Sequence, residues 1–292
     1  MDSALTTIGL PIALGIIMFG LGLSLTVGDF ARVAKAPKAV SIALGCQLIL
    51  LPAIAFGLVK LFDLDPLLAV GVMLLAASPG GTTANLFSHL FKGDVALNVT
   101  LTAVNSVIAV ITLPVITNFA LGHFNPPDAD GTLGLQFTKV LQVFAIVLIP
   151  VVLGMWVRVQ SQSFAHRMDK PVRIGSAVVL ALVIVGTVIS ERENILDYIA
   201  QIGIVAALFC LLSLGVGYAV PRMFGIGDRQ AIASSMEIGI HNSTLAITIA
   251  VSLLHSSELA IPAAVYGVLM FPLAAGAGFL ITRMSPKLAY AA

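Results

Sequence analysis

Apolar residues come in runs of about twenty along the whole chain, separated by short polar connections. At a helical rise of about 1.5 Å per residue, each run can cross the roughly 30 Å of a bilayer's hydrocarbon. The pattern predicts nine spans, near 6–27, 39–62, 67–91, 95–118, 137–157, 174–190, 199–220, 230–254 and 260–282. It lacks the alternating ten-residue segments of a membrane β-barrel. The expectation is an all-α polytopic membrane protein forming one integral domain over 1–292, because no connection could hold a soluble domain.

Two of the runs are interrupted at mid-depth. The third contains SPGGTTAN, residues 78–85, inside an otherwise apolar frame from Leu67 to Phe91. The eighth contains SSMEIGIHNST, residues 234–244. The two lie five spans apart, so they cross the membrane in opposite directions, and each is followed by one more span. This is the layout of an inverted repeat with discontinuous helices, the arrangement in which secondary transporters bind substrate and ions. The first repeat covers about 6–118 in four spans and the second about 137–282 in five. A broken helix exposes N–H groups at one half-helix start and carbonyls at the other half's end. In a membrane these are tolerated only against protein or a polar cavity. The starts attract anions and the carbonyl ends can hold a cation. Residues 78–82 and 237–242 are expected to be unwound and to cross, with Thr82 and Asn242–Ser243 capping the second half-helices.

Composition agrees with this picture: 59% of the residues are hydrophobic, 10% are charged, and the mean hydropathy is +1.06. A net charge of +1 without a basic stripe gives no reason to expect nucleic acid. Cys46 and Cys210 fall inside apolar runs and read as small core residues. The distribution of basic residues sets the expected orientation. Twelve of the fifteen Lys and Arg lie in odd-numbered connections or the C-terminal tail, and only Lys60, Lys139 and Arg192 lie toward the other side. The positive-inside rule then places the N-terminus outside and the C-terminus in the cytoplasm of an inner (plasma) membrane. The first run is too long for a signal-peptide core and lacks a basic start and a small-residue cleavage site, so it is expected to stay in the mature protein.

Of fourteen acidic residues, only Glu237 lies well inside a span. A centred carboxylate costs at least a few kcal/mol on insertion scales. No Lys or Arg lies at similar depth, which leaves a bound cation or a proton as its partner. Other mid-span residues could complete a cage. Asn98, Thr102 and Asn105 share one face of the fourth span, Gln47 lies midway along the second, and Asn85 follows the first break. Their oxygens suit Na⁺ or another hard ion rather than a transition metal. Taken alone, the Asn98/Thr102/Asn105 stripe reads better as hydrogen-bond glue between helices than as a set of ligands. His241 reads as a proton-linked group or as a hydrogen-bonding spacer.

The stretches LGIIMFGLGLSL, GCQLILLP, SPGGTTANLFSHLFKGDVALNVTLT and MEIGIHNSTLA, with their spacing, resemble the bile acid:sodium symporter family of secondary transporters over nearly the whole chain. The resemblance implies a panel domain and a core domain, with two crossing broken helices in the core. Panel-like spans would be 6–27, 137–157 and 174–190, and core-like spans 39–118 and 199–282. It implies the nine-span form with an external N-terminus. It also implies one or two sodium ions. One site would use Asn85, Thr102 and Glu237 with the positions of Ala84 and Asn98, where the family often has serine. The other would use Gln47, Glu237, the backbone near Ile238 and Ile240, and His241, where the family usually has glutamine. Substrate would lie beside the crossing, near Thr82, Thr83, Asn242 and Ser243. A His-Asn pair near the substrate in some bacterial members is replaced here by Phe271-Pro272, so substrate identity does not carry over.

The residues and the resemblance together predict a sodium-coupled symporter importing an organic anion, such as a bile acid or a smaller carboxylate metabolite. Its partners would be that anion and the lipid bilayer, with no obligate protein partner evident. A proton-coupled carrier or cation/proton exchanger is the rival within transport. An intramembrane enzyme would need a nucleophile–base pair or a metal site, and a channel a continuous polar lining; neither pattern is present in the sequence.

Overall fold

The computed structural model describes residues 10–126, 137–165 and 195–284, with a few isolated positions between 167 and 178. The sixth expected span, 174–190, lies outside the described residues except for 174, 175 and 178. The rest is helical. Helix α1 (Leu10–Ser24) turns by 69° into the short α2 (Val27–Ala31), which continues as a 3₁₀ turn over Arg32–Ala34. Asp29 accepts the backbone N–H and hydroxyl of Thr26 at this corner and pairs with Arg32. The first run, expected as a span near 6–27, therefore ends at a capped bend. Helices α3 (Pro37–Gly45) and α4 (Leu51–Leu61) are joined by a π turn over Cys46–Leu50 and together form one span.

The third span is two helices, α5 (Pro66–Ala77) and α6 (Thr82–Leu90). Asp65 starts α5 by accepting the Leu67 N–H at 2.9 Å, and Pro66 occupies the first turn, where its missing N–H costs nothing. All of Leu67–Ala77 is buried, as expected of a helix that is apolar all round. Helix α7 (Val95–Phe124) follows, capped by Asp94 and stopped by Asn125 in the left-handed conformation. Ile111, Val115 and Phe119 point outward at i, i+4 and i+8, one exposed apolar stripe suited to lipid.

Helix α8 (Phe137–Gln160) packs along α1. A Cβ on Gly22 would overlap the Val151 backbone, and one on Gly154 the backbone at Phe19 and Leu23, so the two helices touch main chain to main chain. Arg158 Nη1 closes the pair by donating to the Leu23 carbonyl at 2.7 Å. Helix α9 (Ile195–Met223) packs against both α10 (Asp228–Gly239) and α12 (Ile261–Met284). Between these lies α11, Ser243–Thr248, which runs into a second π turn over Ile249–Leu253. Among the described residues four helices are long and apolar enough to cross a membrane by themselves, or five with the bent first pair. The third and eighth runs fall short because each is broken.

Candidate functional site

The two breaks meet. Gly81 N–H donates to the Ile240 carbonyl and Asn242 N–H to the Pro79 carbonyl, both at 2.8 Å. They form an isolated antiparallel bridge at Gly80 and His241. Each unwound segment thus satisfies part of the other's backbone in surroundings that offer little else. The unwound residues are fewer than the sequence suggests. Helix α10 continues through Gly239, so Glu237 and Ile238 are helical and only 240–242 are not. The expected caps also divide. Asn242 Oδ1 accepts the Leu245 N–H at 3.1 Å and caps α11. Gly81 takes the cap position of α6, so Thr82 is the first helical residue and caps nothing.

Glu237 projects from the last turn of α10 into a fully buried position. Thr102 Oγ1 donates to its Oε2 at 2.5 Å and Asn105 Nδ2 to its Oε1 at 3.3 Å. The Gly80 backbone amide adds a third hydrogen bond. A Cβ on Gly80 would overlap the carboxyl carbon and both oxygens, so the first break approaches the acid as closely as only glycine allows. All three donors are neutral. They orient the carboxylate without balancing its charge.

The amides around this acid share one arrangement. Gln47 Nε2 donates to the Ser78 carbonyl at 3.0 Å, Asn98 Nδ2 to the Ala233 carbonyl at 2.7 Å, and Asn105 Nδ2 to Glu237. In each case the nitrogen is tied to an oxygen acceptor, which fixes the amide's orientation. In each case the oxygen, Gln47 Oε1, Asn98 Oδ1 or Asn105 Oδ1, is buried without a partner. Asn85 Oδ1 is in the same state. Unpaired buried amide oxygens are costly, and oxygens of this kind are what a hard cation takes as ligands.

His241 Nδ1 lies 3.1 Å from the Ser78 carbonyl, the same acceptor that Gln47 uses. A carbonyl only accepts, so in the neutral ring Nδ1 carries the proton and Nε2, buried and unpartnered, presents a lone pair. The ring stacks on Phe209 with centroids 5.5 Å apart. Ala84 is fully buried and offers no side-chain donor. The side chains of Ile238 and Ile240 are buried, and the Ile240 carbonyl already accepts from Gly81. Of the residues expected to face substrate, Thr82 is exposed, Thr83 and Asn242 are half-buried, and Ser243 is buried with its hydroxyl unpartnered.

The sequence reading offered Asn105 within a stripe and Gln47 as possible cage members, without their surroundings. The Ser78 carbonyl is a hub that no side-chain motif announces. Gln47 lies on the π turn of the second span, a distortion found often at functional sites and invisible in hydropathy.

Crossed, broken helices around a buried acid define the class: a helical membrane transporter. A model of the sodium bile acid symporter family matches residues 11–198. The chain is 31% identical over 268 residues to an uncharacterized sodium-dependent transporter of Bacillus subtilis, covering 89% of this chain and 78% of that one. It is 28% identical over 279 residues to a chloroplast protein of Arabidopsis thaliana, the probable sodium/metabolite cotransporter BASS1, covering 94% and 67%. It is 25% identical over 241 residues to the human ileal sodium/bile acid cotransporter, covering 82% and 68%. The chain belongs to the sodium bile acid symporter family, and with it to the sodium-coupled transporters rather than the enzymes.

Proposed function

We propose that this chain carries an organic anion across an inner (plasma) membrane together with one or two Na⁺ ions, by alternating access. The observation that carries this reading is the set of buried amide oxygens without partners on α6, α7 and the π turn at Gln47, with one of these amides, Asn105, bonded to Glu237. Asn85, Asn98, Thr102 and Glu237, with the Ala84 backbone, would hold one ion. Gln47, Glu237, His241 and the carbonyls at Ile238 and Ile240 would hold the other. Sodium neutralises a carboxylate that has only neutral hydrogen-bond partners.

The architecture behind this is nine spans in an inverted repeat, N-terminus outside and C-terminus in the cytoplasm. The antiparallel bridge between the two breaks supports it. The close pairing of α1 with α8 supports a panel of spans 6–27, 137–157 and 174–190 moving against a core of 39–118 and 199–282.

Substrate binds beside the crossing, where α6 and α11 begin. Thr82, Thr83, Asn242 and Ser243 line the approach. The hydroxyls of Thr82, Thr83 and Ser243 and the side-chain Nδ2 of Asn242 are donors that favour a carboxylate or sulfonate. Relatives named for metabolite and for bile acid cotransport support an organic anion without choosing between a small acid and a steroid conjugate.

Purified protein should be stabilised against heat by NaCl and not by KCl, and Glu237→Gln should remove that difference while remaining folded. Na⁺-driven uptake in proteoliposomes should fall by about 100-fold or more, since the acid is the one charged ligand of both sites. Uptake by Glu237→Gln with unchanged Na⁺ dependence would overturn the sodium role. Uptake that follows a pH gradient and ignores Na⁺ would establish the proton-coupled alternative.

A further inference from the structure

The carbonyl end of α10 is held by a side chain that belongs to neither break. A helix end leaves its last four carbonyls without intrahelical partners. At this end the Met236 carbonyl accepts the Ile240 N–H at 3.0 Å. The Gly239 carbonyl accepts the Tyr266 hydroxyl at 2.9 Å. Tyr266 lies on α12, is fully buried, and reaches across to α10. Cys210 Sγ approaches the same carbonyl at 3.8 Å from α9. The Tyr266 ring meets His241 edge-on at 5.4 Å and Phe209 at 5.8 Å. One residue therefore fixes the Gly239 carbonyl with its hydroxyl and the His241 imidazole with its ring.

We infer that Tyr266 is a positioning residue for the ion site: its hydroxyl removes the Gly239 carbonyl from the set open to a cation and fixes the helix end that carries Glu237 and Ile238. The inference rests on the sodium-coupled reading above. Its physical basis is that an ion site gains affinity and selectivity when its donors are held at fixed positions, and the groups that hold them lie outside the ligand set. Here the Glu237 and Ile238 carbonyls lie between two anchored neighbours, those of Met236 and Gly239. Without the hydroxyl, the Gly239 carbonyl is left buried without that donor and free to turn toward the crossing. A purely packing role for Tyr266 would be met equally by phenylalanine, which keeps the ring against His241 and Phe209.

The test is Tyr266→Phe in the full chain, purified in detergent and titrated with NaCl by calorimetry, with choline chloride as the matched control. Its melting temperature in choline should fall by no more than a few degrees, as expected when one buried carbonyl loses a donor, while its Na⁺ affinity should fall by about tenfold, the loss typical when an orienting group behind a metal ligand is removed. Na⁺ affinity equal to wild type in Tyr266→Phe would overturn the inference. If that variant does not fold, Cys210→Ala removes the weaker contact to the same carbonyl and should lower Na⁺ affinity less, in the same direction; unchanged affinity there overturns the inference as well. Absence of any Na⁺ binding to the wild-type chain would instead overturn the sodium-coupled reading itself.

Discussion

The two breaks that cross at the site are built by different means. The first, Ser78–Gly81, contains Pro79, Gly80 and Gly81, and its half-helix starts without a side-chain cap. Its own residues disfavour a helix, since proline has no N–H to donate and glycine forfeits backbone entropy. The second, Ile240–Asn242, contains neither proline nor glycine, and the φ of −113° at Ile240 and −80° at Asn242 are ordinary for any residue. Here the helix stops because its groups are bound from outside: the Gly239 carbonyl by Tyr266, the Ile240 carbonyl by Gly81 and the Asn242 N–H by Pro79. One break is local chemistry and the other is a tertiary contact. A crossing of this kind therefore needs only one segment that cannot be helical, because that segment supplies the partners that unwind the other.

Gly80→Ala should have the largest effect of the substitutions that probe this difference. Its Cβ would enter the space of the Glu237 carboxyl group. Overpacking of this kind costs about 1–3 kcal/mol, and displacement of the acid should abolish both Na⁺-induced thermal stabilisation and Na⁺-driven uptake. Retention of either would show that the first break has slack. Thr102→Val comes next. It keeps the shape, removes the 2.5 Å bond to Glu237 and leaves a buried carboxylate oxygen short of a donor, at about 1–3 kcal/mol. Denaturation in choline should show that loss, and added Na⁺ should recover part of it.

Asn242→Ala removes the cap of α11 and should cost about 0.5–2 kcal/mol. It should weaken binding of a carboxylate more than binding of Na⁺ measured alone, if the residue faces substrate as the proposed function has it. Equal weakening of both would place it with the ion ligands. Pro79→Ala should be mildest, about 1 kcal/mol or less. The bridge uses the Pro79 carbonyl and the Gly81 N–H, and alanine keeps the first and leaves the second alone. If Pro79→Ala were as damaging as Gly80→Ala, proline rather than the crossing would be what holds the first break open.

Much of the site was legible in the chain because hydropathy and helix breaking are local. A stretch of Pro and Gly in an apolar run marks a break wherever it folds, and an acid with no neighbour of opposite charge is conspicuous at any mid-span position. The runs themselves, the two interruptions and Glu237 follow from such properties. The pairing partners do not. Thr102 and Glu237 are separated by 135 residues, and Gln47 and Ser78 by 31. The end of α10 two residues beyond Glu237, the π turn under Gln47, the 69° corner after α1 and the grip of Tyr266 on Gly239 depend on which helices pack together. An amide in a sequence offers a nitrogen and an oxygen alike. Only the carbonyl it meets in the fold determines which is spent and which is left for an ion, and for Gln47, Asn98 and Asn105 the fold spends the nitrogen.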